Sequence, residues 1–180
     1  MKENLAAAMV LLSGWKFTAP LRDPFCGSGT IVIEAAMLAK NIAPGIKRTF
    51  AFQQFRNYDS VLRTTLLEEA KAKEFQGEYQ LFGSDIDTQV LAYAKENAER
   101  AGVAEYISWK EADFSIVDNS FPMLPKKGTS LIPTVPSWLL TNPPYGKRLN
   151  ANENLTPLYH HLATLLQQKE TFGGVISSFP

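Results

Sequence analysis

The sequence predicts an α/β fold built on a mostly parallel sheet. Three observations carry that prediction. Short apolar runs alternate along the chain with stretches of helical spacing; the first run passes through a glycine turn directly into a helix-forming segment; and each run ends in acidic or small polar residues. At 180 residues the chain has the size of one domain, large enough to bury roughly 70% of its unfolded surface.

The elements follow in order. Residues 3–12 have the composition of a first helix. A short strand over about 20–25 ends in Cys26-Gly27-Ser28-Gly29, and Thr30 to Ala39 then reads as a helix. Residues 41–58 mix Pro44, Gly45, Lys47 and Arg48 with Phe50, Phe52 and Phe55, a loop long enough to carry a role of its own, and a helix of mixed charge is predicted over about 58–75. A strand near 80–84 leads to Asp85-Ile86-Asp87. Val90, Leu91, Ala94, Ala98 and Ala101 then fall at helical spacing until Gly102 stops them. A third strand is predicted over 106–110, ending before Asp113. Four prolines and Lys126-Lys127-Gly128 between 120 and 137 exclude a central strand or helix. Residues 138–141 read as a fourth strand, stopped by Asn142-Pro143-Pro144-Tyr145-Gly146. Leu155, Leu158, Tyr159, Leu162, Leu165 and Leu166 form an amphipathic helical stripe, and 173–179 supply a fifth strand.

Composition narrows the function. Apolar residues are 45% and charged residues 20% of the chain, which excludes disordered and fibrous classes. The single cysteine, Cys26, allows no internal disulfide and no cysteine-based zinc site, so a reducing, cytoplasmic setting is expected. Lys2 and the apolar run 5–12 do not make a secretory signal, because Glu3 breaks the basic start and Trp15-Lys16 stand where small residues should precede cleavage; no run is long enough to span a bilayer. Acidic and basic residues balance at 18 each, but not evenly: residues 61–120 hold 12 acids against 6 bases, while 1–60 and 121–180 are net basic. Lys47, Arg48, Arg56, Lys126, Lys127, Lys147 and Arg148 are expected in loops near the active edge, as phosphate contacts or as plain solvated cations.

In a parallel sheet, ligands bind beyond the carboxyl ends of the strands, and the unusual clusters all fall at such ends. In Asp23 to Thr30 the glycines permit close backbone approach to a ligand, and the following helix offers free N–H groups. Neither a P-loop lysine nor the third glycine of a dinucleotide fingerprint is present, since Val32 stands at the latter position. A simple tight turn is the bland alternative. Asp85 suits a ribose diol, or caps the next helix, a task Asp87 is better placed for. Asp113 suits an exocyclic amine of a purine, or merely ends a strand. Asn142-Pro143-Pro144-Tyr145 is the most specific cluster. The Asn142 side-chain oxygen and the Pro143 carbonyl make a pair of acceptors for a planar NH₂ group, and Tyr145 adds a ring on which an extruded base can stack. His160 and His161, on a helix distant in sequence from these clusters, are read as structural.

These residues resemble class I S-adenosylmethionine-dependent amino-methyltransferases, through D-P-F-C-G-S-G-T at 23–30 and N-P-P-Y at 142–145. K-E-N-L-A-A-A at 2–8, I-E-A-A at 33–36, A-P-G at 43–45, G-S-D-I-D at 83–87 and N-P-P-Y-G-K-R-L at 142–149 narrow the likeness to THUMP-associated RNA methyltransferases, in particular the unit that methylates guanine N2 in bacterial large-subunit rRNA. The resemblance implies a Rossmann-like methyltransferase sheet, S-adenosyl-L-methionine as cofactor, rRNA as partner, and neither metal nor membrane. It implies that Asp23, Cys26, Gly27, Ser28, Gly29 and Thr30 surround the methionine part of the cofactor. Asp85 would hold the ribose, Ile86 flank the adenine and Asp113 meet its amine, while Asn142, Pro143, Pro144 and Tyr145 position the acceptor. It further implies a single methyltransferase domain over 1–180, preceded in the family by a THUMP module and followed by two more strands. An unpaired fifth strand would invite self-association. Three other readings use the same motifs: methylation of adenine N6 in DNA, methylation of a protein glutamine, against which the A-P-G insertion argues, and a non-catalytic cofactor-binding module.

Overall fold

The computed structural model describes residues 1–114, 136–144, 155–167 and 171–176. Its elements are α1 (Glu3–Leu12), β1 (Leu21–Asp23), α2 (Thr30–Ala39), α3 (Ser60–Ala72), β2 (Leu81–Asp85), α4 (Thr88–Ala101), β3 (Ile107–Glu111), β4 (Ser137–Thr141), α5 (Thr156–Leu166) and β5 (Thr171–Val175), with short 3₁₀ turns at Ala51–Gln54 and Ala104–Tyr106. The five strands form one sheet in the order β3-β2-β1-β4-β5. Every pairing is parallel, so the sheet is fully rather than mostly parallel among the described residues.

This order places the reversal of winding at β1. From β1 the chain moves outward through β2 to β3, then returns to add β4 on the other side. The crevice between the carboxyl ends of β1 and β4 is therefore the place where flanking loops diverge and a ligand can enter. Leu21, Leu81, Leu139 and Leu140 are fully buried, as expected of strands covered on both faces. On one face α1 and α2 contribute Ala6, Val10, Val32, Ala35 and Ala36 to a core shared with Ala98 and Val103; on the other, Phe114, Leu139, Leu162 and Leu165 pack together under α5.

Element ends depart slightly from the sequence reading. β1 is shorter than 20–25 because Phe25 already turns, its N–H donating to the Asp23 carboxylate. α3 starts later than 58 because Asp59 caps it, accepting from the Leu62 N–H at 2.9 Å. β5 begins at Thr171 instead of 173, since Thr171 pairs with Ser137 at the start of β4; the predicted continuation to 179 lies partly outside the described residues. So do the proline-rich loop, with Lys126 and Lys127, and Tyr145, Lys147 and Arg148.

The basic aromatic segment is placed differently from expectation. Helices in this fold run back from the carboxyl edge of the sheet, and Lys47 donates to the carbonyl of Arg100 at the far end of α4, while Arg63 donates to the Arg48 carbonyl. Lys47 and Arg48 therefore sit toward the amino edge of the sheet, about 15 Å down the ten residues of α2 from the glycine turn, not at the active edge. α3 buries none of its residues. Its end is tied back by the Asn41 side chain, which donates to the Lys73 carbonyl, and by the Phe75 N–H, which donates to the Lys40 carbonyl.

Candidate active site

The glycine turn is held by its own backbone and by the neighbouring strand β2. Cys26 N–H donates to the Ser84 carbonyl on β2, and Gly29 N–H closes the turn on the Cys26 carbonyl at 2.8 Å. Gly29 caps α2 with φ +82°, a left-handed conformation that a side chain resists. There is no room for one either: a Cβ at Gly29 would lie 2.7 Å from the Trp109 ring, and one at Gly83 would lie 2.6 Å from it. The indole of β3 thus lies across the backbone of β2 and of the turn and presses the two together.

Asp85 braces the same turn. One carboxylate oxygen accepts the Gly27 N–H at 2.9 Å and the other accepts the Asp87 N–H at 3.1 Å. Each oxygen retains a further acceptor site for a ligand hydroxyl. Asp87 caps α4 through Gln89 and Val90, the division of labour expected from sequence. Ile86, between them, is 64% exposed, an apolar side chain just past the carboxyl end of β2. Asp113 follows β3, where Ala112 N–H still donates to the Asp85 carbonyl.

Asp23 ends β1 fully buried. The Thr141 hydroxyl donates to its Oδ1 at 2.6 Å and the Phe25 N–H donates to the same oxygen. Burial outweighs these two donors and, with the nearby Asp85, pushes the Asp23 carboxyl up to about 7. The same burial, with Asp23 and Asp85 beside it, pushes the Cys26 thiol up, so Cys26 is inert as a nucleophile.

Asn142 directly follows Thr141 at the end of β4. Its Oδ1 is buried and has no hydrogen-bond partner among the described residues. Together with Asp23, Phe25, Cys26, Ser28 and Thr30 it lines a cavity of about 260 Å³, near the lower bound of small-molecule sites. Pro143 is fully buried, and the Pro144 carbonyl accepts from the Tyr159 hydroxyl at 3.3 Å, fastening this loop to α5. The cavity wall thus offers a ligand one acidic side chain, Asp23, and one orphaned amide oxygen, with the Asp85 carboxylate braced behind the turn at Gly27. Such a set fits a ligand that carries positive charge and N–H or O–H donors.

The chain is matched by the model of the RMKL-like methyltransferase domain over residues 1–178. The chain belongs to this family. Among curated proteins, the ribosomal RNA large subunit methyltransferase K/L of Shewanella baltica (strain OS195) is 43% identical over 97% of this chain, and that of Shewanella oneidensis 44% identical over the same share. The chain spans 23% of the length of these relatives. Among solved structures, one described as SMU.472, a putative methyltransferase complexed with SAH, superposes with TM-score 0.82 at 32% identity, covering 98% of this chain and 44% of that one. A structure described as a predicted N6-adenine-specific DNA methylase from Listeria monocytogenes gives TM-score 0.84 at 30% identity, with 99% and 44% coverage. The fold is that of the RMKL-like family and its Rossmann-like sheet.

Sequence reasoning missed several parts of this site. Trp109 and Thr141 gave no signal beyond ordinary strand composition. Asn97 donates from α4 to the Ser28 carbonyl at 3.0 Å and so pins the turn, a contact across 69 residues that no local pattern announces. Met1 and Val90 also line the cavity. His161 packs edge-on to Phe114 at 5.0 Å, and Phe114 packs against Phe25 at 4.7 Å; His161 is therefore separated from the crevice by two aromatic rings, closer to it than its sequence distance suggested.

Proposed function

We propose that the chain is one methyltransferase unit that transfers a methyl group from S-adenosyl-L-methionine to an exocyclic amine of a base in large-subunit rRNA, with guanine N2 as acceptor. The observation that carries this reading is the orphaned Oδ1 of Asn142, buried in the same cavity as the glycine turn. A buried acceptor left without a donor costs about 1–3 kcal/mol, and an incoming amine supplies the missing donor. The carboxylates of Asp23 and Asp85 suit a cofactor that bears a sulfonium and an ammonium group. The SAH held by the solved relative and the rRNA named for the curated ones support the same choice.

When bound, S-adenosylmethionine supplies an electrophilic methyl group on a sulfur that is already a good leaving group. The protein's work is alignment. Asn142 Oδ1 and the Pro143 carbonyl accept the two amine hydrogens, which points the nitrogen lone pair at the methyl carbon and strips the amine of water. With the amine held in this way the methyl would pass to nitrogen as the sulfur leaves with its bonding pair, and the amine would give up one proton to solvent. Tyr145 provides the ring on which the extruded base stacks, and Pro144 fixes the loop through Tyr159. Asp85 receives the ribose hydroxyls, Ile86 covers one face of the adenine, and Asp113 receives its amine. Cys26, Gly27, Ser28, Gly29 and Thr30 shape the methionine end. A cytoplasmic setting fits an rRNA substrate.

Replacing Asn142 with Ala tests this assignment. Loss of one oriented contact in a water-excluded site lowers turnover by about 10²–10³, while cofactor affinity measured in parallel stays near its starting value. Loss of cofactor binding with an intact chemical rate overturns the assignment. The second reading, adenine N6 in DNA, draws on the Listeria relative's description; labelled methyl appearing in DNA and not in rRNA decides for it.

A further inference from the structure

We propose that the 41–58 segment, which leaves the far end of α2, is a stacking platform for single-stranded RNA; this rests on the RNA reading above. Phe50 and Phe52 lie nearly parallel, ring centroids 5.7 Å apart at 16°, and remain 40% and 46% exposed, with Phe55 at 63%. They are held, not loose. Phe50 N–H donates to the Gln53 side chain at 2.6 Å, Gln53 reaches the Tyr58 hydroxyl, and Tyr58 packs on Phe52 at 6.0 Å. Rings fixed in this way lose little freedom when a ligand stacks on them.

Their charge surroundings identify the ligand class. No carboxylate occurs between Lys40 and Asp59, and the Asp59 side chain is spent on the cap of α3. Lys47, Arg48 and Arg56 lie in that interval. Lys47 donates to a backbone carbonyl, and Arg63 is drawn in beside Arg48 through the Arg48 carbonyl. Part-exposed, pre-set aromatic rings in a segment that carries cations and no carboxylate of its own match an anionic polymer with flat, unpaired bases. Because this segment leaves the far end of α2 and is bonded to the carboxyl end of α4 through Lys47, away from the glycine turn, it acts on RNA affinity and not on the methyl-transfer step.

The test is fluorescence anisotropy of a labelled 12-nucleotide single-stranded RNA with the 180-residue chain. It compares the Phe50→Ala/Phe52→Ala pair, the Phe50→Tyr/Phe52→Tyr pair and the Arg48→Glu/Arg56→Glu pair, with calorimetric binding of SAH as the check on folding. The alanine pair should weaken RNA binding about tenfold or more, and the tyrosine pair should restore it. The charge-reversed pair should flatten the salt dependence by about 1.4, the value for two phosphates on a single strand. SAH affinity should not move in any of them. Unchanged RNA affinity in the alanine and charge-reversed pairs, with SAH binding intact, overturns the platform, as does an effect confined to self-association in sedimentation, which would mark a protein-docking face. Methyl transfer to rRNA reads the functional proposal separately: a chain that methylates rRNA while its variants bind RNA normally loses only the platform.

Discussion

Replacing Gly29 with Ala should destabilise the protein by about 2–5 kcal/mol, and the structure divides that cost in two. The backbone there has φ +82°, which costs a residue with a Cβ about 1–2 kcal/mol. The new methyl would also lie 2.7 Å from the Trp109 ring, 3.1 Å from Ile33 and 3.2 Å from Ala94. Trp109 packs against the core and Ala94 is fully buried, so neither can swing aside, and overpacking of this kind adds about 1–3 kcal/mol. Gly27 provides the internal comparison. Its φ is +53°, but nothing stands within 4 Å of its missing Cβ, so Gly27→Ala should cost the backbone part alone. Equilibrium urea unfolding of the two variants gives the difference directly. A double-mutant cycle of Gly29→Ala with Trp109→Leu should recover the steric part as a favourable coupling of about 1–3 kcal/mol. Equal losses for Gly27→Ala and Gly29→Ala, or zero coupling to Trp109, would refute the claim that the indole clamps the turn.

Asp23 should make stability fall with rising pH. Its folded pKa of about 7 lies above the ordinary carboxyl value, so the folded state holds the extra proton; this contribution is fully present below about pH 4 and lost by about pH 7, on the order of 4 kcal/mol. Asp23→Asn, which keeps an acceptor for Thr141 and Phe25, should abolish that decline when the two unfolding profiles are subtracted. Asp85→Ala should weaken cofactor binding by about 1.5–3 kcal/mol in calorimetry; unchanged affinity removes Asp85 from the ribose site. Among the described residues β5 lies at one edge of the sheet; if that edge is open in the 180-residue chain it should recruit a second copy, so the sedimentation coefficient should rise with concentration, and a constant monomer value counts against an open edge.

Much of the architecture was legible in the sequence because its punctuation is local. Gly102 ends α4 in a left-handed cap, the N-P-P step ends β4, and the glycine turn separates β1 from α2, each where one residue type forces the backbone. The candidate site was legible for a related reason: in a parallel sheet its residues gather at strand ends, so position along the chain predicts position in space. What escaped was contact between distant segments. Trp109 reaching across Gly83 to Gly29, Asn97 holding Ser28 and Tyr159 fastening Pro144 depend on packing angles that no short pattern encodes. The misplacement of Lys47 and Arg48 has the same origin. A long loop leaving the far end of α2 can fold toward either edge of the sheet, and only its bonds to Arg100 and Arg63 decide the direction.

The most direct measurement is the identity of the methylated nucleoside after the protein is incubated with isotopically labelled S-adenosylmethionine and unmodified large-subunit rRNA. The account predicts label in N2-methylguanosine for the parent and a loss of about 10²–10³ in rate for Asn142→Ala. Label found only in a nucleoside other than N2-methylguanosine, no label in rRNA while unmethylated DNA incubated in parallel gains N6-methyladenosine, or incorporation at the parental rate in Asn142→Ala, would contradict it.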